Sequence, residues 1–161
     1  MAGRFFSSND LRTFEGFNKE LVGDLRTDKD GLINQQIKLF KVSSEHTSTN
    51  LYGESTGGKV YKPGVLFACL IESGDIDFNM DEFGSDALQD ATFFMLRETL
   101  TELDLVPEMG DIVEWNYAHF EINGINENQL IGGQFDQNWS VNCTAHLIRS
   151  STLQIERVRK V

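Results

Sequence analysis

Residues Ile112–Ile125 read I-V-E-W-N-Y-A-H-F-E-I-N-G-I, and most of the architecture follows from them. Two short runs, Ile112–Trp115 and His119–Ile125, are parted by Asn116-Tyr117, and in the second run Phe120 and Ile122 alternate with Glu121. Alternation with a period of two is strand patterning, so the pair predicts a β-hairpin. Its break lacks the Asn-Gly pair that most favours a tight hairpin turn. Asn123-Gly124, inside the second run, reads as a bulge or a strand end.

Working outward, Val141–Ile148 sets Val141, Cys143, Ala145 and Leu147 against Asn142, Thr144 and His146, a strand with one buried face. Pro107–Asp111, with Gly110, supplies the turn before Ile112. Ala91–Leu96 predicts a strand passing into a short helical turn near Glu98–Leu105. Val65–Ile71 lies between Pro63-Gly64 and Ser73-Gly74 and suits one strand buried on both faces. Ile33–Val42 favours strand over helix, and Thr27–Gly31 reads as a turn. From Thr13 to Leu25, Phe14, Phe17, Leu21, Val22 and Leu25 recur at helical steps, weakened by Gly16 and Gly23. The predicted class is mainly β: a small β-barrel or β-sandwich with an N-terminal helical segment and one short internal helix. Residues 1–31 form a helical arm, 32–155 the β domain, and 156–161 a basic tail.

The 161 residues carry a net charge of −11, which argues against sequence-independent DNA wrapping. The charge is uneven. Residues 72–127 hold 15 acids and one base, Arg97, whereas Arg149, Arg157, Arg159 and Lys160 face only Glu156 in residues 147–161. Such a block is either a self-repelling solvated face or a surface meant for something specific. Neither a membrane-length apolar run nor a secretory leader is visible, so an acidic, cytosol-made globular protein is expected.

Candidate chemistry is thin. His46, His119 and His146 form no H-x-x-x-H pattern with each other, although His119 and Glu121 would share a strand face and His146 lies in another strand. Cys69 and Cys143 read as small core residues. Asp28-x-Asp30-Gly31 would put Arg26 and Ile37 at the first and last places of a calcium loop, and Asp75-x-Asp77-x-Asn79 has Met80 where its glycine belongs. Gly57-Gly58-Lys59 lacks the remainder of a phosphate loop. No catalytic constellation, cofactor or metal site is expected, and the chain reads as a non-enzyme.

A longer pattern runs from about Ile33 to Ile155. It comprises N-L-Y-G-E-S at Asn50–Ser55, Lys59-Val60-Tyr61, D-E-F-G at Asp81–Gly84, Arg97-Glu98, V-P-E-M-G-D-I-V-E at Val106–Glu114, Phe120-Glu121-Ile122, Glu127-Asn128-Gln129 and C-T-A-H-L-I-R at Cys143–Arg149. In this order the segments resemble the neck, or head-closure, proteins of large contractile-tailed bacteriophages. Relatives often carry a longer insertion after the E-N-Q segment, where only Leu130–Trp139 stands here. The resemblance implies a virion structural protein, assembled in the host cytoplasm and sited at the head–tail junction. It would form a ring with copies of itself, hexameric by resemblance, below a portal or adaptor protein and above tail terminator, tube or sheath proteins. Packaged DNA would pass through the ring.

On that reading, two sets of residues matter. Tyr52, Gly53, Glu54, Lys59, Tyr61, Glu127, Asn128, Gln129, Arg157, Arg159 and Lys160 are candidates for subunit or partner contacts. Glu72, Asp75, Asp77, Asp81, Glu82 and Asp86 would form an acidic face, lining the lumen to repel DNA or docking on a basic neighbour. Alternatives are a tail-completion or adaptor role in the same connector, a small cytosolic ligand-binding β-barrel, and a β-barrel hydrolase working through His119 and Glu121.

Overall fold

A computed structural model describes residues 7–23, 31–43, 45–47, 58–81, 84–129 and 138–149. It is mainly β, with helix α1 (Ser8–Val22) at the start and helix α2 (Arg97–Glu102) inside the chain. The strands are β1 (Gln36–Phe40), β2 (Val65–Ala68), β3 (Leu70–Ser73), β4 (Asp77–Asp81), β5 (Gly84–Leu88), β6 (Asp90–Leu96), β7 (Ile112–Trp115), β8 (Ala118–Gln129) and β9 (Asn138–Ile148). Seven of them make a curled antiparallel sheet in the order β2-β1-β7-β8-β9-β6-β3, and β4-β5 stand apart as a two-stranded sheet.

The apolar run Val65–Ile71 departs from the single doubly buried strand expected of it. It divides at Cys69 into β2 and β3, which lie at opposite edges of the sheet. Cys69 N–H donates to Gln35 O at 3.0 Å on the β1 side, and Gly74 N–H donates to Asp90 O at 2.8 Å on the β6 side. One bent segment therefore touches both ends of the sheet and draws it into a half-barrel. Leu66 is 53% exposed, on the face of β2 opposite the buried Phe67.

The interior is filled from both sides. Ile37, Leu39, Phe67, Cys69, Phe93, Met95, Val113, Phe120, Ile122, Cys143 and Ala145 are all buried in one cluster. Phe93 and Phe120 meet edge to face at 5.8 Å between ring centroids. Each fully buried large apolar side chain contributes roughly 1.5–3 kcal/mol through removal from water. The core face expected of β9 is buried at Val141, Cys143 and Ala145, which pair across the sheet with Met95, Phe93 and Ala91, while Leu147 is half-buried.

The hairpin β7–β8 forms as expected, and its turn is tighter than its sequence promises. Asn116 and Tyr117 take φ of 49° and 63°, the two left-handed residues of a type I′ turn. The register shift between Ile122 and Gly124 makes Asn123-Gly124 a bulge and not the strand end that its sequence equally allowed. It changes the inward parity of β8, so that Ile122 faces Ala145 and Ile125 then faces Cys143. A Cβ on Gly124 would lie 2.5 Å from Thr144 Oγ1, which donates to Asn123 Oδ1 at 3.0 Å.

Helix α1 starts five residues before the periodicity suggests and stops at Val22. Ser7 caps it: Asp10 N–H donates to Ser7 Oγ, and Ser7 N–H donates to Asp10 Oδ2. Gly23, at φ 101°, ends it, and its N–H returns to Lys19 O. Val22 packs with Ala68 at the end of β2 and Leu96 at the end of β6. Phe14 and Phe17 are 50% and 60% exposed, so most of the apolar stripe faces away from the barrel.

Candidate functional site

The acidic segment carries no basic residue between Glu72 and Asp90, and its sequence gave no strand signal. It nevertheless folds as the hairpin β4–β5, with Phe78 opposite Ala87 and Asp77 opposite Leu88. The hairpin is tied to the barrel at its root. Gly74 N–H donates to Asp90 O, Gln89 Nε2 donates to Gly74 O at 3.1 Å, and Leu147 N–H donates to Gln89 O at 2.8 Å. An open groove of about 460 Å³ runs along this root, lined by Asp75, Asp77, Leu88, Asp90 and His146.

Of the acidic candidates, Glu72 lies exposed on β3, and Asp75 and Asp77 are exposed at the root. Asp81 and Asp86 occupy β4 and β5, while Glu82 lies outside the described residues. The carboxylates share their surface with apolar groups, since Ile76, Phe78 and Leu88 are 49%, 74% and 55% exposed. Exposed apolar area beside charge of one sign is the chemistry of a protein-docking surface.

The candidate contact residues separate. Tyr52, Gly53, Glu54, Arg157, Arg159 and Lys160 lie outside the described residues, as do Asp28 and Asp30. Glu127, Asn128 and Gln129 extend β8 well past the predicted run. Lys59 and Tyr61 come together with Glu121, expected only as a partner of His119, and with Asp111, which the sequence did not single out as a site residue. Lys59 Nζ is 2.6 Å from Glu121 Oε1, and Tyr61 bridges Val42. The Tyr61 phenol is pushed up to about 12 by burial and by the nearby Glu121 and Asp111 carboxylates.

Asp111 is the centre of that group. It is 0% exposed, and its carboxylate accepts from Val42 N–H at 3.0 Å and Glu108 N–H at 2.9 Å. Lys41 Nζ lies 3.6 Å from Asp111 Oδ2 and 3.1 Å from Glu108 Oε2, and also donates to Val106 O. Asp111 O accepts from Ile122 N–H, and Ile122 O accepts from Gly110 N–H. These bonds lock the 106–111 turn against the end of β1 and the side of β8. The Gly-Asp pair before an apolar run was the available signal, but local sequence does not reveal that Val42, just past β1, supplies a donor 69 residues away.

His119 is 5% exposed, a buried residue of β8. Glu121 is engaged by Lys59, and among the described residues no group of three His, Cys, Asp or Glu is placed to hold a metal. Cys69 and Cys143 are buried core thiols, as expected. Burial pushes both upward, Cys143 to about 12. Comparison with protein-family models finds no match. Comparison with curated proteins finds none either.

Proposed function

We propose that the chain is a structural subunit of the neck of a contractile-tailed bacteriophage, forming a ring with its own copies that closes the filled head and receives the tail. The observation that carries this reading is the β4–β5 hairpin, a two-stranded sheet that stands apart from the barrel and presents acids beside Ile76, Phe78 and Leu88. A rigid wall with a projecting hairpin suits a component that acts by contact. The ordered segments shared with neck proteins supply the particular setting. Phe67, Phe93 and Phe120 occupy the barrel interior, which weighs against a ligand-binding barrel.

The exposed apolar groups favour docking over the lumen for this hairpin. A face past which DNA slides needs repulsion alone, whereas Phe78 and Leu88 gain from being covered by a neighbouring protein. The experiment combines Asp75→Asn, Asp77→Asn, Asp81→Asn and Glu82→Gln in a phage producing this chain. Loss of tail attachment from DNA-filled heads is the expected result. DNA leakage with normal tail docking would return the hairpin to the lumen, and electron density placing the chain away from the head–tail junction would overturn the neck reading.

A further inference from the structure

The ribbon β4–β5 has an open edge. β4 pairs with β5 in an unbroken register, from Asp77 opposite Leu88 to Asp81 opposite Gly84, and among the described residues no third strand joins the pair. Of the two, β5 is the strand that approaches the barrel, at β9, so β4 forms the outer edge. Antiparallel pairing engages the N–H and C=O groups of alternate residues, and along β4 the remaining ones point away from β5. Proteins commonly blunt such an edge with proline, lysine or a bulge. Residues 76–88 contain neither proline nor lysine, and the β4–β5 pairing has no bulge. Two strands are marginal in water by themselves, and a third strand is what this ribbon lacks.

Charge decides which strand fits. The same edge of a second copy is a poor partner: paired antiparallel about Asn79, it would set Asp77 of each copy opposite Asp81 of the other, and like charges directly opposite are destabilising. No base lies between Glu72 and Asp90 to offset those acids. A strand carrying lysine or arginine meets the reverse condition. Asp77 and Phe78 are both exposed, and as neighbours in a strand they point to opposite faces of the ribbon. A strand added beside them therefore gains most from a basic residue on the Asp77 face and an apolar one on the Phe78 face, an alternation with a period of two.

We infer that the edge of β4 takes up, as a third strand, an extended segment of a neighbouring protein in which lysine or arginine alternates with apolar residues. Main-chain bonds to β4 supply affinity, and the side chains beside Asp77 and Phe78 supply selection. Covering Phe78, which is 74% exposed, adds the apolar contribution. The inference deepens the docking reading of this hairpin and rests on it for the neighbour's place in the neck.

The test titrates the full chain, labelled with nitrogen-15, with an acetylated heptapeptide that alternates lysine and valine. Saturable shifts of the Asp77–Asp81 amide signals are expected, with slower hydrogen exchange at alternate amides of β4 once the peptide is bound. Methylating every backbone nitrogen of the peptide keeps its charge and side chains but removes its donors, and should weaken binding roughly tenfold or more. Exchanging its lysines for glutamates should abolish binding. No binding by the lysine peptide, or equal binding by the methylated or the glutamate peptide, overturns the inference. Tail attachment in the phage carrying the four acid substitutions separates the two proposals. Lost attachment with no uptake of the lysine peptide removes the third strand and leaves the docking surface, whereas uptake of the peptide with normal attachment removes the neck role and leaves the edge.

Discussion

Replacing Asp111 should destabilise the barrel more than any other single change on its polar side. The carboxylate is fully buried and accepts two backbone N–H bonds, from Val42 and Glu108. Hydrogen bonds to a charged group each contribute roughly 1.5–3 kcal/mol, and Asp111→Ala leaves two buried donors without an acceptor. It also leaves Lys41 without its inner partner. The expected loss is about 3–5 kcal/mol, a large share of the roughly 5–15 kcal/mol by which domains are stable. At about 2–4 °C per kcal/mol for a chain of this size, Tm should fall by about 6–20 °C. Asp111→Asn keeps one acceptor and turns an NH2 toward the other donor, so it should cost less, about 1–3 kcal/mol. Lys41→Met should cost least, about 1 kcal/mol or below, because that ion pair is partly solvated and spans 3.6 Å. Urea unfolding followed by tryptophan fluorescence reads the series, since the Trp115 ring lies 6.1 Å from Phe120 in the core. A loss for Lys41→Met equal to that for Asp111→Ala would refute the reasoning, because charge pairing and not backbone satisfaction would then hold the turn. So would an Asp111→Ala protein within about 0.5 kcal/mol of wild type.

Four further outcomes can be checked. Tyr117 is 89% exposed at φ 63°, so Tyr117→Gly relieves a left-handed side chain at little cost in contacts, and a rise in Tm is expected, with a fall counting against the I′ turn. Cys69 and Cys143 should resist a thiol reagent at pH 8 until urea unfolds the chain, and fast labelling of the native protein would contradict their burial. Their raised values, with that of Tyr61, mean that the folded state holds protons the unfolded chain releases above about pH 9, so stability should decline as pH rises from about 9 toward 12. Gly124→Val should lower stability by forcing Thr144 out of the bulge, as thermal unfolding would record.

What was legible in the sequence was what depends on neighbours along the chain. Alternation located β8 and β9, short apolar runs located β6 and β7, Asn-Gly inside a strand marked the place of the irregularity at Asn123, and the cysteines' apolar company marked them as core. Long-range consequences were not legible. Nothing in V-L-F-A-C-L-I marks Cys69 as the point where one strand leaves β1 and another joins β6, because that break is imposed by closing the sheet. The β4–β5 hairpin escaped notice for a different reason: acids, Asn and Gly have low strand propensity, and the pairing rests on a single apolar position or two per strand. Asp111 illustrates the same limit at a site, as its burial depends on donors brought from Val42, just past β1, and from its own turn.

That failure of propensity at the hairpin bears on function. A two-stranded ribbon with few apolar residues is marginal by itself in water. This one is held at its root by Gly74, Gln89 and Asp90, and it leaves Phe78 and Leu88 in solvent. A segment selected only to be a soluble loop has no reason to combine strand pairing, clustered acids and exposed aromatic area. A segment that is completed by a neighbour has reason for all three: pairing sets the register, charge selects a basic partner and rejects others, and the apolar groups supply affinity once covered. On the proposed neck role, Phe78→Ser should leave the isolated chain's Tm nearly unchanged while sharply reducing tail attachment. A large fall in Tm would instead make Phe78 a folding residue and remove the hairpin from the docking surface.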